Sequence, residues 1–155
     1  MANGNPSSKL IVPFMGGFYG AASGWGYPIM RFFVGLFLVP HGAQKLFGWF
    51  GGSAQGTAAF FTKVGLEPAL SLVYLVGAIE FFGGILIAIG LLTRPAAAVA
   101  CIMLLVAVFS VHMGNGFFWT KSGYEYPMLW AILMFAIFLR GGGERSLDSA
   151  IGREF

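Results

Sequence analysis

The stretch Pro68–Leu92, PALSLVYLVGAIEFFGGILIAIGLL, decides the fold. Its 25 residues carry one charged side chain, Glu80, and are long enough to cross a bilayer as a tilted helix. A carboxylate in the middle of such a span is costly unless it is protonated, paired or turned toward water. The chain therefore reads as a membrane protein with a polar site in its interior.

Composition agrees. Hydrophobic residues make up 57% of the 155-residue chain and charged residues 10%, well below the roughly one quarter typical of soluble domains. That length holds one domain of about four spans with their connections and leaves no room for a separate soluble catalytic domain. The net charge of +3 is small and the cations are scattered, which gives nucleic-acid binding no support. Cys101 is the single cysteine, so neither an internal disulfide nor a dithiol redox pair is available. Redox chemistry in this chain would need a bound cofactor. No phosphate loop, zinc spacing or nucleophile triad is present, and no metal site is expected.

The expected fold is all-α: a polytopic membrane protein built as an antiparallel four-transmembrane-helix bundle. Residues 1–26, rich in Gly, Ser, Asn and Pro, read as an irregular N-terminal segment. Within it LIVPFMGGFYGAASG resembles a signal-peptide core only loosely, because Pro13 and several glycines interrupt it, and no cleavage is expected. The membrane domain covers residues 27–141, with spans at about 27–47 (kinked at Pro40), 68–92, 95–113 and 126–139. Residues 142–155 form a polar tail. Thr93 and Arg94 alone join the second and third spans, which demands a tight antiparallel hairpin, with Pro95 at a helix start that tolerates it. The first connection is longer, and its TAAFFTKVG stretch suits a short helix at the interface.

Charge sets an orientation. Lys9, Arg31, Arg94, Arg140, Arg145 and Arg153 fall at the end carrying both termini, against Lys45, Lys63 and Lys121 at the other. That excess puts both termini in the cytoplasm.

The polar residues within the spans are the candidate site. If the spans end at equal heights, Arg31 and His41 lie on either side of Glu80, each displaced by roughly 6 to 8 Å. A long arginine side chain bridges that gap, so an Arg31–Glu80 ion pair is expected, with His41 approaching from the outer side. Lys45 shares a helix face with His41, and Gln44 lies on an adjoining one. His112, near the outer end of the third span, and Asn115 just beyond it fall at a similar height. Together these residues outline one polar pocket opening outward between phenylalanine-rich walls. Such a pocket suits a planar, lipid-soluble quinone, whose carbonyls take donors and whose reduction takes protons.

Each residue also has a plainer role. Arg31 and Glu80 can serve helix register, Lys45 can extend its ammonium to the interface, and Gly84 with Ala88 can let two helices approach. A haem held between His41 and His112 is the lesser cofactor reading, since two histidines are slender support for it.

Four segments, RFFVGLFLVPHGAQKLFG (Arg31–Gly48), GTAAFF (Gly56–Phe61), VGAIEFFGGILIAIGLLTRPAA (Val76–Ala97) and HMGNGFF (His112–Phe118), in this order and spacing resemble the DoxX family of small four-helix membrane proteins. The resemblance covers about Tyr27 to Gly141. It implies a bacterial inner-membrane location and makes Arg31, His41, Lys45 and Glu80 the counterparts of the family's characteristic polar positions. It further implies a role beside a quinone pool, since family members include the quinone-interacting subunit of thiosulfate:quinone oxidoreductase and a membrane partner in an oxidant-defence complex. The leading expectation is therefore a quinone-binding membrane subunit. Glu80, His41 and Arg31 would surround the head group, with Lys45, His112, Gln44 and Asn115 in support and a redox partner subunit as electron donor. The competing classes are a non-enzymatic scaffold that recruits such a partner and a small-solute or proton transporter. Contact with the lipid bilayer is expected throughout, and glycine-rich helices of this kind suit further self-association.

Overall fold

A computed structural model describes residues 10–154, and among them every regular element is helical. A short helix α1 (Gly16–Ala22), flanked by 3₁₀ turns at Pro13–Met15 and Ser23–Trp25, leads directly into α2 (Gly26–Phe47). Then follow α3 (Ala54–Lys63), α4 (Ala69–Ile89), α5 (Thr93–Asn115), α6 (Glu125–Arg140) and the single-turn α7 (Leu147–Ala150). The helical path through α1 and α2, α4 and α5 are each long and apolar enough to cross a membrane. With 16 residues α6 spans ~24 Å. It completes the bundle by packing along α5. The chain is thus a multi-pass helical membrane protein.

The sequence reading of residues 1–26 as irregular does not hold for residues 13–25, which are helical; residues 1–9, Lys9 among them, lie outside the described residues. Pro13 stands at the first position of its turn, where its missing N–H costs nothing, and the glycines that follow take ordinary right-handed helical geometry. The TAAFFTKVG stretch contributes most of α3, whose first turn is capped by Ser53 accepting from the Gly56 N–H at 3.0 Å. The interior of the bundle gathers Val34 and Leu38 of α2, Ile87 of α4, Ala97, Ala100, Cys101 and Leu104 of α5, and Ala131, Met134 and Ile137 of α6. Trp130 ties α6 to α2 by donating its indole N–H to the Val34 carbonyl at 3.3 Å.

Helices α2 and α4 approach closely through glycines two turns apart on each. Gly35 meets Gly84 and Ala88, and Gly42 meets Gly77 and Phe81. A Cβ added at Gly35 would lie 2.5 Å from the Gly84 carbonyl oxygen, closer than any real side chain comes. Dispersion between such closely apposed backbones substitutes for the hydrophobic drive that lipid cannot supply. The expectation that Gly84 and Ala88 let helices approach is met at this seam.

At the end of the bundle carrying both termini, the C-terminal tail folds back onto the α4–α5 turn. Asp148 is buried and accepts from the Leu92 N–H at 2.8 Å, the Thr93 N–H at 3.0 Å and the Thr93 hydroxyl at 2.7 Å. Its own N–H donates to the Gly90 carbonyl at 2.8 Å. Burial alone would raise the Asp148 carboxyl, but the hydrogen bonds from Thr93 and Leu92 and the charge of Arg31 outweigh it and hold the group below its ordinary value of 3.8.

Two predictions follow from this packing. Gly42→Leu should cost about 1–3 kcal/mol or more and lower the thermal midpoint in detergent, because the added atoms meet the Phe81 backbone. Gly17→Leu, at a helical position with nothing within 4 Å, should leave it unchanged. Asp148 has a folded pKa below its unfolded one, so its stabilisation is full above pH 3.8 and is lost as pH falls through the lower folded value. Hydrogen exchange at Leu92 and Thr93 should therefore accelerate in that acid window in the wild type, and already at neutral pH in Asp148→Asn.

Candidate functional site

Two of the three helices that carry the site, α4 and α5, have their regular winding interrupted. Glu80 lies in a π-helical turn, Ile79–Gly83, within α4, and His112 lies in a second one, Val108–His112, near the end of α5. An extra residue in a turn widens it and re-aims the side chains it carries. Glu80 is 8% exposed, and its Oε2 stands 2.7 Å from the Lys45 Nζ of α2. The same ammonium donates to the His41 carbonyl one turn back, at 3.2 Å. Lys45 reaches Glu80 because Gly77 presents no side chain beside the lysine stem; a Cβ there would lie 3.0 Å from the Lys45 Cβ.

This ion pair forms part of the wall of a cavity of about 660 Å³. His41 and His112 line the same cavity, and the remaining walls are almost wholly apolar, with Leu38, Met103 and Trp130 among them. Phe60 and Phe61 of α3 close part of it on the loop side. The Nδ1 of His112 is 2.6 Å from the Ser122 carbonyl oxygen, which only accepts, so Nδ1 carries the proton and Nε2 of the neutral ring is an acceptor. The cavity thus offers an ammonium, a carboxylate and two imidazoles among mostly apolar walls.

Of the seven residues singled out from the sequence, four line one cavity: His41, Lys45, Glu80 and His112. The expected Arg31–Glu80 ion pair is replaced by Lys45–Glu80. Arg31 instead sits at the terminal end, donating from Nη1 to the Ile87 and Ala88 carbonyls at 2.5 and 2.9 Å and from Nη2 to the Arg145 carbonyl at 2.9 Å. The reason is register. The glycine seam sets Gly42 beside Phe81, which leaves Arg31 roughly 15 Å along α2 from the level of Glu80. There the guanidinium satisfies carbonyls that the end of α4 leaves open. Gln44 and Asn115 also lie outside the cavity lining. The backbone of Gln44 packs against Gly52, and the Asn115 amide donates to the Ser122 carbonyl at 3.2 Å, the same oxygen that His112 engages.

Sequence reasoning missed the group at the other end, in which Asp148 and Thr93 anchor the tail and Arg94 donates to the Phe138 and Leu139 carbonyls at 3.0 and 2.8 Å. A capping signal was present in the tail: Ser146 stands three residues before Ser149, whose N–H it accepts at 3.1 Å.

The geometry defines a class, a small multi-pass helical membrane protein with an ion-paired carboxylate in the wall of a half-open, mostly apolar cavity. The DoxX family model matches residues 26–113, more than half of the chain, and the chain belongs to the DoxX family. Among curated proteins, two from Haemophilus influenzae, both named only as uncharacterized, are similar. One is 28% identical, with 88% of this chain matched to 89% of that protein, and the other 31% identical, with 77% matched to 86%. A Bacillus subtilis protein named "Putative oxidoreductase CatD" is 29% identical, with 67% of this chain matched to 72% of it. No solved structure matches.

The pairing of Lys45 with Glu80 predicts an asymmetric mutational response. Lys45→Met strands a carboxylate among apolar neighbours and should lower stability by up to roughly 3–5 kcal/mol. The double variant Lys45→Met/Glu80→Gln should recover most of that loss in thermal unfolding. Equal loss in the single and double variants would show that the pair is not coupled.

Proposed function

We propose that this protein is the membrane subunit of a quinone-linked redox system and binds quinone in the cavity lined by Glu80, Lys45, His41 and His112. The observation that carries the reading is the Lys45–Glu80 ion pair, 2.7 Å apart in the wall of an otherwise apolar cavity that two histidines also line. Its volume of about 660 Å³ falls in the range of sites for drug-sized molecules and admits a quinone ring with the first part of an isoprenoid tail. A quinone carbonyl takes a hydrogen bond from an ammonium or a protonated imidazole, and the hydroxyls of the reduced ring find acceptors in Glu80 and in Nε2 of His112. Glu80 and the histidines are also the groups able to exchange protons as the ring changes oxidation state. Arg31 has no part in this site, while Asn115 supports it by holding the loop that orients His112.

The family supports the reading in general terms, as does the oxidoreductase name carried by the Bacillus subtilis relative. Electrons would come from a partner subunit or an external reductant, because Cys101 is the single cysteine. The excess of arginine at the terminal end supports a reading in which both termini lie in the cytoplasm of a bacterium, with the cavity in the half of the bundle away from it.

Mass spectrometry of lipid extracts from the purified protein tests this. Near-stoichiometric quinone is expected in the wild type, falling about tenfold or more in Glu80→Gln, in line with the loss of a charged hydrogen-bonding partner. Folded wild type without quinone enrichment would contradict the proposal and favour a scaffold.

A further inference from the structure

The terminal end of the bundle holds a second cavity, of about 570 Å³, separate from the quinone reading and lined by Arg140, Arg145 and Arg153 beside Tyr27, Ser149 and the tail. The guanidinium of Arg145 lies over the Trp25 ring, 3.7 Å from its centre, and that of Arg140 over the Tyr27 ring at 4.2 Å. Stacking occupies the flat face of a guanidinium and leaves its in-plane N–H donors free. Among the described residues none of these three side chains enters an ion pair; the two bridges present are Lys45–Glu80 and Arg94–Glu154.

The carboxylates around the cavity do not cancel this charge. Asp148 is buried and spent on Leu92 and Thr93, and Glu154 stands 3.6 Å from Arg94. Glu144 remains, one carboxylate against three guanidiniums. Trp25 and Tyr27 stand at the start of α2, the depth at which amphipathic rings meet lipid head groups. Two guanidiniums held by interfacial rings and a third on the folded tail therefore converge on one recess at head-group level.

We propose that this recess binds a phosphate group, supplied by the phosphodiester of an anionic phospholipid in the adjoining leaflet or by phosphate in solution. The arginine fork matches phosphate oxygens bidentately, and the Ser149 hydroxyl on the rim adds a neutral donor. The folded tail contributes Arg145 and Arg153, so occupancy also secures the latch that Asp148 makes with the α4–α5 turn.

Native mass spectrometry and thermal unfolding of the delipidated full chain test this with three probes: phosphatidylglycerol, phosphatidylcholine and inorganic phosphate. Phosphatidylglycerol should be retained about tenfold or more over phosphatidylcholine and should raise the midpoint. The variant Arg140→Gln/Arg145→Gln/Arg153→Gln should lose that preference, while the Arg145 backbone carbonyl still serves Arg31. A midpoint rise with millimolar inorganic phosphate, absent in the variant, supports the site with solution as its source. Equal retention of both lipids by the wild type without a response to phosphate overturns the proposal, as does a variant that keeps the preference. If the triple variant does not fold, Arg153→Gln alone, on the exposed tail, is read in the same way. Neither result bears on Glu80.

Discussion

The close approach of α2 and α4 is the constraint on which the rest depends. Gly35 against Gly84 and Gly42 against Gly77 leave no freedom to slide one helix past the other without driving a side chain into backbone. That register decides which cation meets Glu80. It brings Lys45 to the carboxylate and sends Arg31 to the carbonyls at the end of α4. A lysine pairing from the last turn of its helix leaves the level of Glu80 open toward α5, where the cavity and His112 lie.

Charge is divided between the two ends by what each must do. At the terminal end, Arg31 and Arg94 donate to carbonyls that α4 and α6 cannot satisfy internally, and Asp148 accepts from the N–H groups that open α5. These contacts close the hairpin and bind the tail to it. In the other half, the same bundle sets an ion pair and two histidines in the wall of a mostly apolar cavity. One end is a latch and the other holds the cavity, and the glycine seam keeps both in place.

The spans were legible because a bilayer imposes a length and a hydropathy that Pro68–Leu92 and the stretch after Thr93 state openly. Glu80, His41, Lys45 and His112 stood out for the same reason: polar groups in such spans are few. The pairing was less legible. Aligning the ends of the spans put Arg31 within reach of Glu80, whereas α4 begins above the end of α2 and the glycines shift the register. Nothing in hydropathy reports a backbone contact between Gly42 and Phe81. The π turns at Glu80 and His112 were likewise invisible, since they change the aim of side chains without changing composition. The tail read as merely polar because Asp148 finds its partners more than fifty residues away.

A quinone in the cavity beside the ion pair and the two histidines is the proposal on which the functional reading rests. The most direct measurement is photolabelling of the membrane-embedded protein with an azidoquinone, followed by peptide mapping. Labels are expected on cavity-lining residues such as Ile79, Met103 and Trp130, suppressed by unlabelled quinone and by Glu80→Gln. Labels confined to exposed positions outside the cavity lining such as Phe109 and Phe135, insensitive to competitor, would contradict it.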